Sequence, residues 1–410
     1  MYNSIKFLSY SILLISIYSV IQWSALLNTA LNNTFFWWLL QALILYNFYT
    51  LKNKSAKRIQ TLKLFFIYVI ISFLYGIYMA HNYWHYKNLI RNLMIYLMPL
   101  CIYAFINPRQ LYLVLKIWFK KAWIILLCLS PFLYSDAWGN FLTPFCFLAL
   151  FFSQLPTKWK IVTISAFIIT FTLGWASRSC TIRFSIAFLI GLLFSWGLTR
   201  SLIIKYKKQL FTILVFTPII LFSLAISGIF NIFQIDEELK LSDQYQMFQS
   251  NEDNNSILDD TRTLVYTEVL NDAQKNNYII QGHSLARGYY SPIFNDFINK
   301  NSDGLLKGER AACEVCILNV FTYMGIIGVI LYMSIFIKST YIAMFKSNND
   351  YVKVIAIFVL FRWIYSWIEE LSSFNISYLS LWIMVAICFS PYFRKMSNSE
   401  FKNWFHSILK

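Results

Sequence analysis

The run LFTILVFTPIILFSLAISG, Leu210 to Gly228, carries no charge, and soon after it the chain reads QIDEELKLSDQYQMFQSNEDNNS, Gln234 to Ser256. The first run is long enough to cross roughly 30 Å of hydrocarbon. The second opens a polar insert, about Asn231 to Cys313, holding 13 of the chain's 19 acids against 7 of its bases. On either side of this insert, apolar runs recur with short, mostly basic connections. The pattern is that of an all-α polytopic membrane protein with one long loop on the far face.

Composition supports this reading. Mean hydropathy is +0.54, with 58% hydrophobic, 13% charged and 19% aromatic residues, which excludes an ordinary water-soluble domain. Lysine and arginine total 35. They sit in short connections between spans, so the positive-inside rule accounts for them without nucleic acid. Most of the seven cysteines fall inside spans, and the lone Cys313-x-x-Cys316 pair reads as helix packing rather than a metal site. Phe7 to Trp23 is too long and aromatic for a cleaved signal peptide.

Twelve spans are expected, at about 7–24, 35–51, 62–80, 89–106, 115–134, 138–155, 160–176, 182–198, 210–229, 314–337, 352–369 and 373–391. The fifth is interrupted by Lys116, Lys120 and Lys121, and its first part reads as an interfacial segment. About 23 of the 35 basic residues fall on one set of connections and on the two termini, which places both termini in the cytoplasm and the insert outside it. The organisation is a membrane block over 1–229, the long extracytoplasmic loop over 230–313, a second membrane block over 314–391 and a cytoplasmic tail over 392–410.

Three textures divide the loop. Gln234–Ser256 is polar and reads as poorly ordered. Leu258–Lys275 reads as a helix, with Asp259 or Asp260 as N-cap and an apolar stripe of Leu264, Val265, Val269, Leu270 and Ala273. Asn276–Pro292 contains Gly282 and Gly288 and is turn-rich.

Charged groups near membrane depth are costly and call for a reason. Ser177-Arg178-Ser179 followed by Arg183 opens the eighth span, where a helix N-terminus beside guanidinium groups suits a phosphate; simple snorkelling is the plainer account. Arg262 lies early in the loop helix with Gly282-His283 downstream, and a salt bridge to Glu268 or the neighbouring aspartates would explain it equally. Arg310 and Glu314 stand one turn apart at the mouth of the tenth span. Glu314 there is either a general base or half of an anchoring ion pair. His81, His85, Lys87 and Arg91 with Trp84 suit a headgroup or sugar, or an interfacial anchor. Glu369 and Glu370 face a cavity or simply end a helix.

Taken together, the layout over about 160–337 is similar to the O-antigen polymerase and O-antigen ligase superfamily of bacterial envelope glycosyltransferases. The resemblance rests on Thr172-Leu173-Gly174-Trp175-Ala176-Ser177-Arg178-Ser179, on a loop opening with Arg262 and running to Gly282-His283, and on Glu314 followed by Tyr323-Met324-Gly325-Ile326-Ile327-Gly328. It implies an inverting, metal-independent glycosyltransferase of GT-C type in the bacterial inner membrane. The substrate would be an undecaprenyl-diphosphate-linked oligosaccharide, with no cofactor. A flippase and a chain-length regulator would be partners. Arg178 and Arg262 would grip the diphosphate, with Arg183, Arg287 and Arg310 in support. Glu314 or His283 would serve as base, with Lys87 and Arg91 at the headgroup. The ligase branch usually carries a histidine where Glu314 stands, which favours the polymerase. The rival readings are a ligase, a lipid-oligosaccharide transporter, which would show two pseudo-symmetric halves, and a membrane acyltransferase, which would need a mid-span histidine.

Overall fold

Inside a bilayer each backbone N–H and C=O must find its partner within its own segment, so the apolar runs fold as helices. The computed structural model describes residues 2–21, 24, 33–53, 59–173, 178–227, 261–291 and 308–410. Its helices are α1 (Tyr2–Ile21), α2 (Thr34–Thr50), α3 (Gln60–Met79), α4 (Tyr83–Leu97), α5 (Cys101–Phe105), α6 (Pro108–Leu129), α7 (Ser135–Leu142), α8 (Phe145–Ala149), α9 (Thr157–Leu173) and α10 (Arg178–Ser195). They continue as α11 (Gly197–Lys205), α12 (Lys207–Ile226), α13 (Thr261–Lys275), α14 (Cys316–Phe345), α15 (Asp350–Tyr365), α16 (Ile376–Phe389), α17 (Pro391–Lys395) and α18 (Asn398–Leu409). Two short strands, β1 (Tyr289–Tyr290) and β2 (Glu309–Arg310), pair antiparallel.

Among the described residues, five segments are long and apolar enough to cross a membrane: Ser4–Ile21, Gln60–Met79, Tyr83–Phe105, Lys207–Leu224 and Cys316–Phe345. The other expected spans are helical but shorter or more charged. The stretch at 138–155 departs from expectation, because it breaks between α7 and α8 at Pro144 and ends in a 3-10 turn at Phe152–Gln154. Proline has no N–H to give and its ring collides with the preceding turn.

Burial runs inside-out relative to a soluble protein. Phe35, Leu39, Leu43 and Tyr46 line an exposed face of α2, and Ile67, Ile71, Leu74 and Tyr78 one of α3. Apolar faces of this size suit hydrocarbon. At the centre stands α16, whose every residue is buried, packed among α1, α5, α14 and α15. Serines on α1 allow close approach and supply polar contacts between helices. Ser16 Oγ accepts from Trp118 Nε1 at 2.8 Å, and Ser19 Oγ accepts the Ile376 N–H at 2.9 Å where α16 begins.

One end of the bundle is closed by α18, capped by Ser397 and Glu400. Asn398 Oδ1 accepts the Asp350 N–H at 2.9 Å, so α18 sits at the start of α15. The loop residues meet the opposite end. The loop helix forms as α13, starting at Thr261, while Asp259 and Asp260 lie outside the described residues. Val265, Tyr266, Val269 and Ala273 face inward, but Leu264 is exposed, contrary to the expected stripe.

Candidate functional site

The glycines of the two short motifs explain how the loop seats on the membrane helices. Gly325 interrupts α14 with φ +62°, which glycine adopts freely. The backbone opened by this break is satisfied by the loop: Ile326 N–H donates to Ile279 O at 2.9 Å, and His283 N–H to Thr322 O at 2.6 Å. Gly282, at φ +81°, approaches so closely that a Cβ would lie 2.4 Å from Met324 N. Gly282-His283 and Tyr323–Gly328 are thus two halves of one joint.

A buried carboxylate fastens the same segment to α4. Glu309, only 5% exposed, accepts from Gly288 N–H at 2.6 Å and from Arg287 Nε at 3.0 Å, and lies 3.3 Å from His85 Nε2. Asn88 and Asn92 donate to the carbonyls of Ala286 and Leu285 at 3.1 and 2.8 Å. Arg287 is therefore committed to holding the loop, and His85 belongs to this buried network instead of an open headgroup site. Lys87 stacks over Trp84 at 4.7 Å, and Arg91 is exposed.

His283 Nδ1 lies 2.7 Å from the Gly288 carbonyl. A carbonyl only accepts, so Nδ1 carries the proton and Nε2 keeps its lone pair. Burial holds this imidazole, which stacks on the Tyr278 ring, below its ordinary pKa, hence neutral. Arg310 and Glu314 do pair, Nη2 to Oε1 at 2.5 Å. They are not on one helical face, however, since α14 begins only at Cys316. Glu314 is half-exposed and ion-paired, which is the anchoring geometry. Glu268 accepts from Ser291 Oγ at 2.7 Å. Cys313 and Cys316 hydrogen-bond separately, to Asn319 and Tyr332.

The connection from α15 to α16, Ser366 to Asn375, is the hub where these parts converge. Ile317 and Cys316 N–H groups at the start of α14 donate to Ser366 O and Glu369 O at 3.1 and 3.0 Å. Tyr266, one turn beyond Arg262 on α13, donates to Trp367 O at 2.8 Å. The helix carrying the partly buried Arg262 is thereby tied to the residues that hold Arg183.

Arg183 is 2% exposed. Its Nε donates to Ser179 O at 3.2 Å, Nη1 to Ser377 Oγ at 2.5 Å, and Nη2 lies 3.2 Å from Glu369 Oε1. Arg362 is 1% exposed and within electrostatic range of both Arg183 and Glu369. Its Nε and Nη2 have no hydrogen-bond partner among the described residues, and neither has Glu369 Oε2. Trp363 Nε1 and Trp367 Nε1, on the same stretch, also lack partners among the described residues. Two buried guanidinium groups thus stand near one carboxylate, which among the described residues pairs only with Arg183, leaving a surplus positive charge. Buried donors normally have partners, so this excess marks an acceptor-seeking place.

Beside it, Glu370 accepts from Asn319 Nδ2, the Ser372 N–H and, at 2.5 Å, Ser372 Oγ. Burial outweighs these bonds and pushes the carboxyl up to about 7. Such a group can exchange a proton near neutrality. The Arg178 side chain and Ser177 lie outside the described residues, although α10 does start at Arg178.

Arg362 was not singled out from the sequence, although an arginine within FVLFRWIYSWIEE is itself an expensive feature. Asn319 and Glu309 carried no local signal, since their importance comes from partners distant in sequence. No family model, curated protein or solved structure matches the chain.

Proposed function

We propose that this chain is a membrane glycosyltransferase that polymerises lipid-linked surface oligosaccharides, taking a polyprenyl-diphosphate donor at the hub between α10, α13 and α15. On this reading the chain crosses a bacterial inner membrane twelve times in a GT-C-like arrangement, with the loop side outside the cytoplasm. One observation carries it: the buried surplus of guanidinium charge at Arg183 and Arg362, which a single Glu369 does not neutralise. A departing lipid diphosphate concentrates negative charge, and fixed cations in a dry site stabilise it without reorganising. The layout of motifs from Arg178 to Gly328 adds the class of reaction.

In the reaction, a base takes the proton from the acceptor sugar's hydroxyl, and the freed oxygen bonds to the donor's anomeric carbon with inversion. The carbon–oxygen bond to the diphosphate breaks, and its electron pair leaves with the lipid diphosphate held by Arg183 and Arg362, with Arg262 and Arg178 in support. Glu370, adjacent in chain to Glu369 and poised near neutrality, is the base we favour over Glu314, whose charge Arg310 engages. His283, neutral with Nε2 unprotonated, is the second candidate.

The test is the length distribution of surface glycan in a deletion strain complemented with each variant. Arg262→Ala, Arg178→Ala and Arg183→Ala should yield inserted protein and single repeat units only. Long chains from all three would overturn the assignment, and loss of attachment to the lipid core with polymer intact would mark a ligase instead.

A further inference from the structure

A groove of about 790 Å³ runs between α6, α7, α9 and α18, at a place none of the catalytic argument uses. Five lysines, Lys116, Lys120, Lys121, Lys158 and Lys410, line it, and no Asp or Glu does. Lys116 and Lys121 keep to neutral partners, Tyr112 OH at 2.9 Å and Tyr10 OH at 3.1 Å. Lys120 and Lys158 are exposed, and neither forms an ion pair among the described residues.

The remaining walls are apolar, including Trp123, Ile124, Leu127, Trp138 and Ile169. The two textures are segregated along the groove. On α6 the lysines come before Ile124 and Leu127; on α9 Lys158 comes first and Ile169 last. From Lys158 to Ile169 a helix rises about 16 Å, close to half of a hydrocarbon core of roughly 30 Å. Trp159 Nε1 donates to Leu409 O at 3.0 Å. That bond fixes the lysine end of the groove at α18, the opposite end of the bundle from the hub.

We propose that this groove binds one anionic phospholipid, its phosphate among the lysines and its acyl chains along α6 and α9. Charge complementarity selects the headgroup: five lysines with no Asp or Glu side chain among them match an anion, and a zwitterionic lipid brings a cation they would repel. The one-leaflet depth of the apolar wall selects a lipid over a free anion. The assignment is independent of the glycosyl-transfer reading.

The experiment is native mass spectrometry of the full chain in mild detergent, titrated with phosphatidylglycerol or with phosphatidylcholine of matched acyl chains. One phosphatidylglycerol should remain bound while phosphatidylcholine dissociates. Each lysine near an anionic surface contributes enough that Lys120→Gln with Lys158→Gln should weaken retention about thirtyfold. Lys402→Gln, on the exposed face of α18, should leave it unchanged. Ile169→Trp, which fills the trough and leaves the lysines in place, should also release the lipid. Equal retention of both lipids, or unchanged retention in the lysine and Ile169 variants, overturns the proposal. So does displacement by inorganic phosphate alone, which would show a bare anion site, or a dimer peak lost in the same variants, which would make the groove an interface between copies.

Discussion

Replacing Arg362 by methionine should stabilise the protein and abolish its activity. The side chain is 1% exposed and its Nε and Nη2 lack partners, so it bears the cost of desolvation without the bonds that normally offset it. Glu369 keeps its bond to Arg183 when Arg362 is exchanged for an apolar group of similar volume, so the change removes a desolvated charge without breaking a pair and should be neutral or stabilising. Arg183→Met should act in the opposite direction. Arg183 holds Ser179, Ser377 and Glu369, and removing it strands a buried carboxylate, costing about 3–5 kcal/mol. Thermal unfolding of both variants in one detergent, alongside glycan length profiles, measures the two effects. The expected result is a Tm at or above wild type for Arg362→Met, a lower Tm for Arg183→Met, and no long chains from either. A clear loss of stability in Arg362→Met would refute the reasoning, because it would make Arg362 a satisfied structural residue.

Other consequences concern the supports of the site. Because burial raises the Glu370 carboxyl to about 7 from 4.5, its protonated form is favoured in the folded state. The stability it contributes is complete below about pH 4.5 and is lost as pH rises through about 7. Tm should fall over that window, and Glu370→Ala should flatten the fall. Turnover, which needs the deprotonated base, should rise through about pH 7 and vanish in Glu370→Gln; an unchanged pH–rate profile in that variant removes it as base. Glu309→Ala strands Arg287, His85 and the Gly288 N–H, and should destabilise by about 3–5 kcal/mol, seen as protease cleavage within 276–291. Gly282→Ala should cost roughly 2 kcal/mol or more, from φ +81° and a Cβ driven against Met324, read as a lowered Tm.

Much of the architecture was written in local patterns. Apolar runs gave the helices nearly where α3, α9 and α14 stand, and the amphipathic stretch after Asp260 became α13. Pro144 was also legible as a breaker, yet the surrounding apolar residues masked it in a reading by hydropathy alone. Partnership was not legible. Whether Arg287 grips a substrate or Glu309 depends on a contact across a loop, and whether Arg183 or Arg362 carries the surplus charge depends on which one Glu369 faces. Glu314 and Arg310 met as their spacing suggested, but through a bend preceding the helix. Arg262 and Arg183 look unrelated in sequence, and the α15–α16 connection ties their helices together, through Tyr266–Trp367 and Glu369.

Titrating purified protein with a short polyprenyl diphosphate and with the corresponding alcohol measures the anion site directly. The diphosphate should bind and the alcohol should not, with Arg362→Met weakening the diphosphate about tenfold or more, as loss of a charge-assisted hydrogen bond implies. Equal affinity for diphosphate and alcohol, or an unaltered titration in the Arg362 variant, contradicts the account.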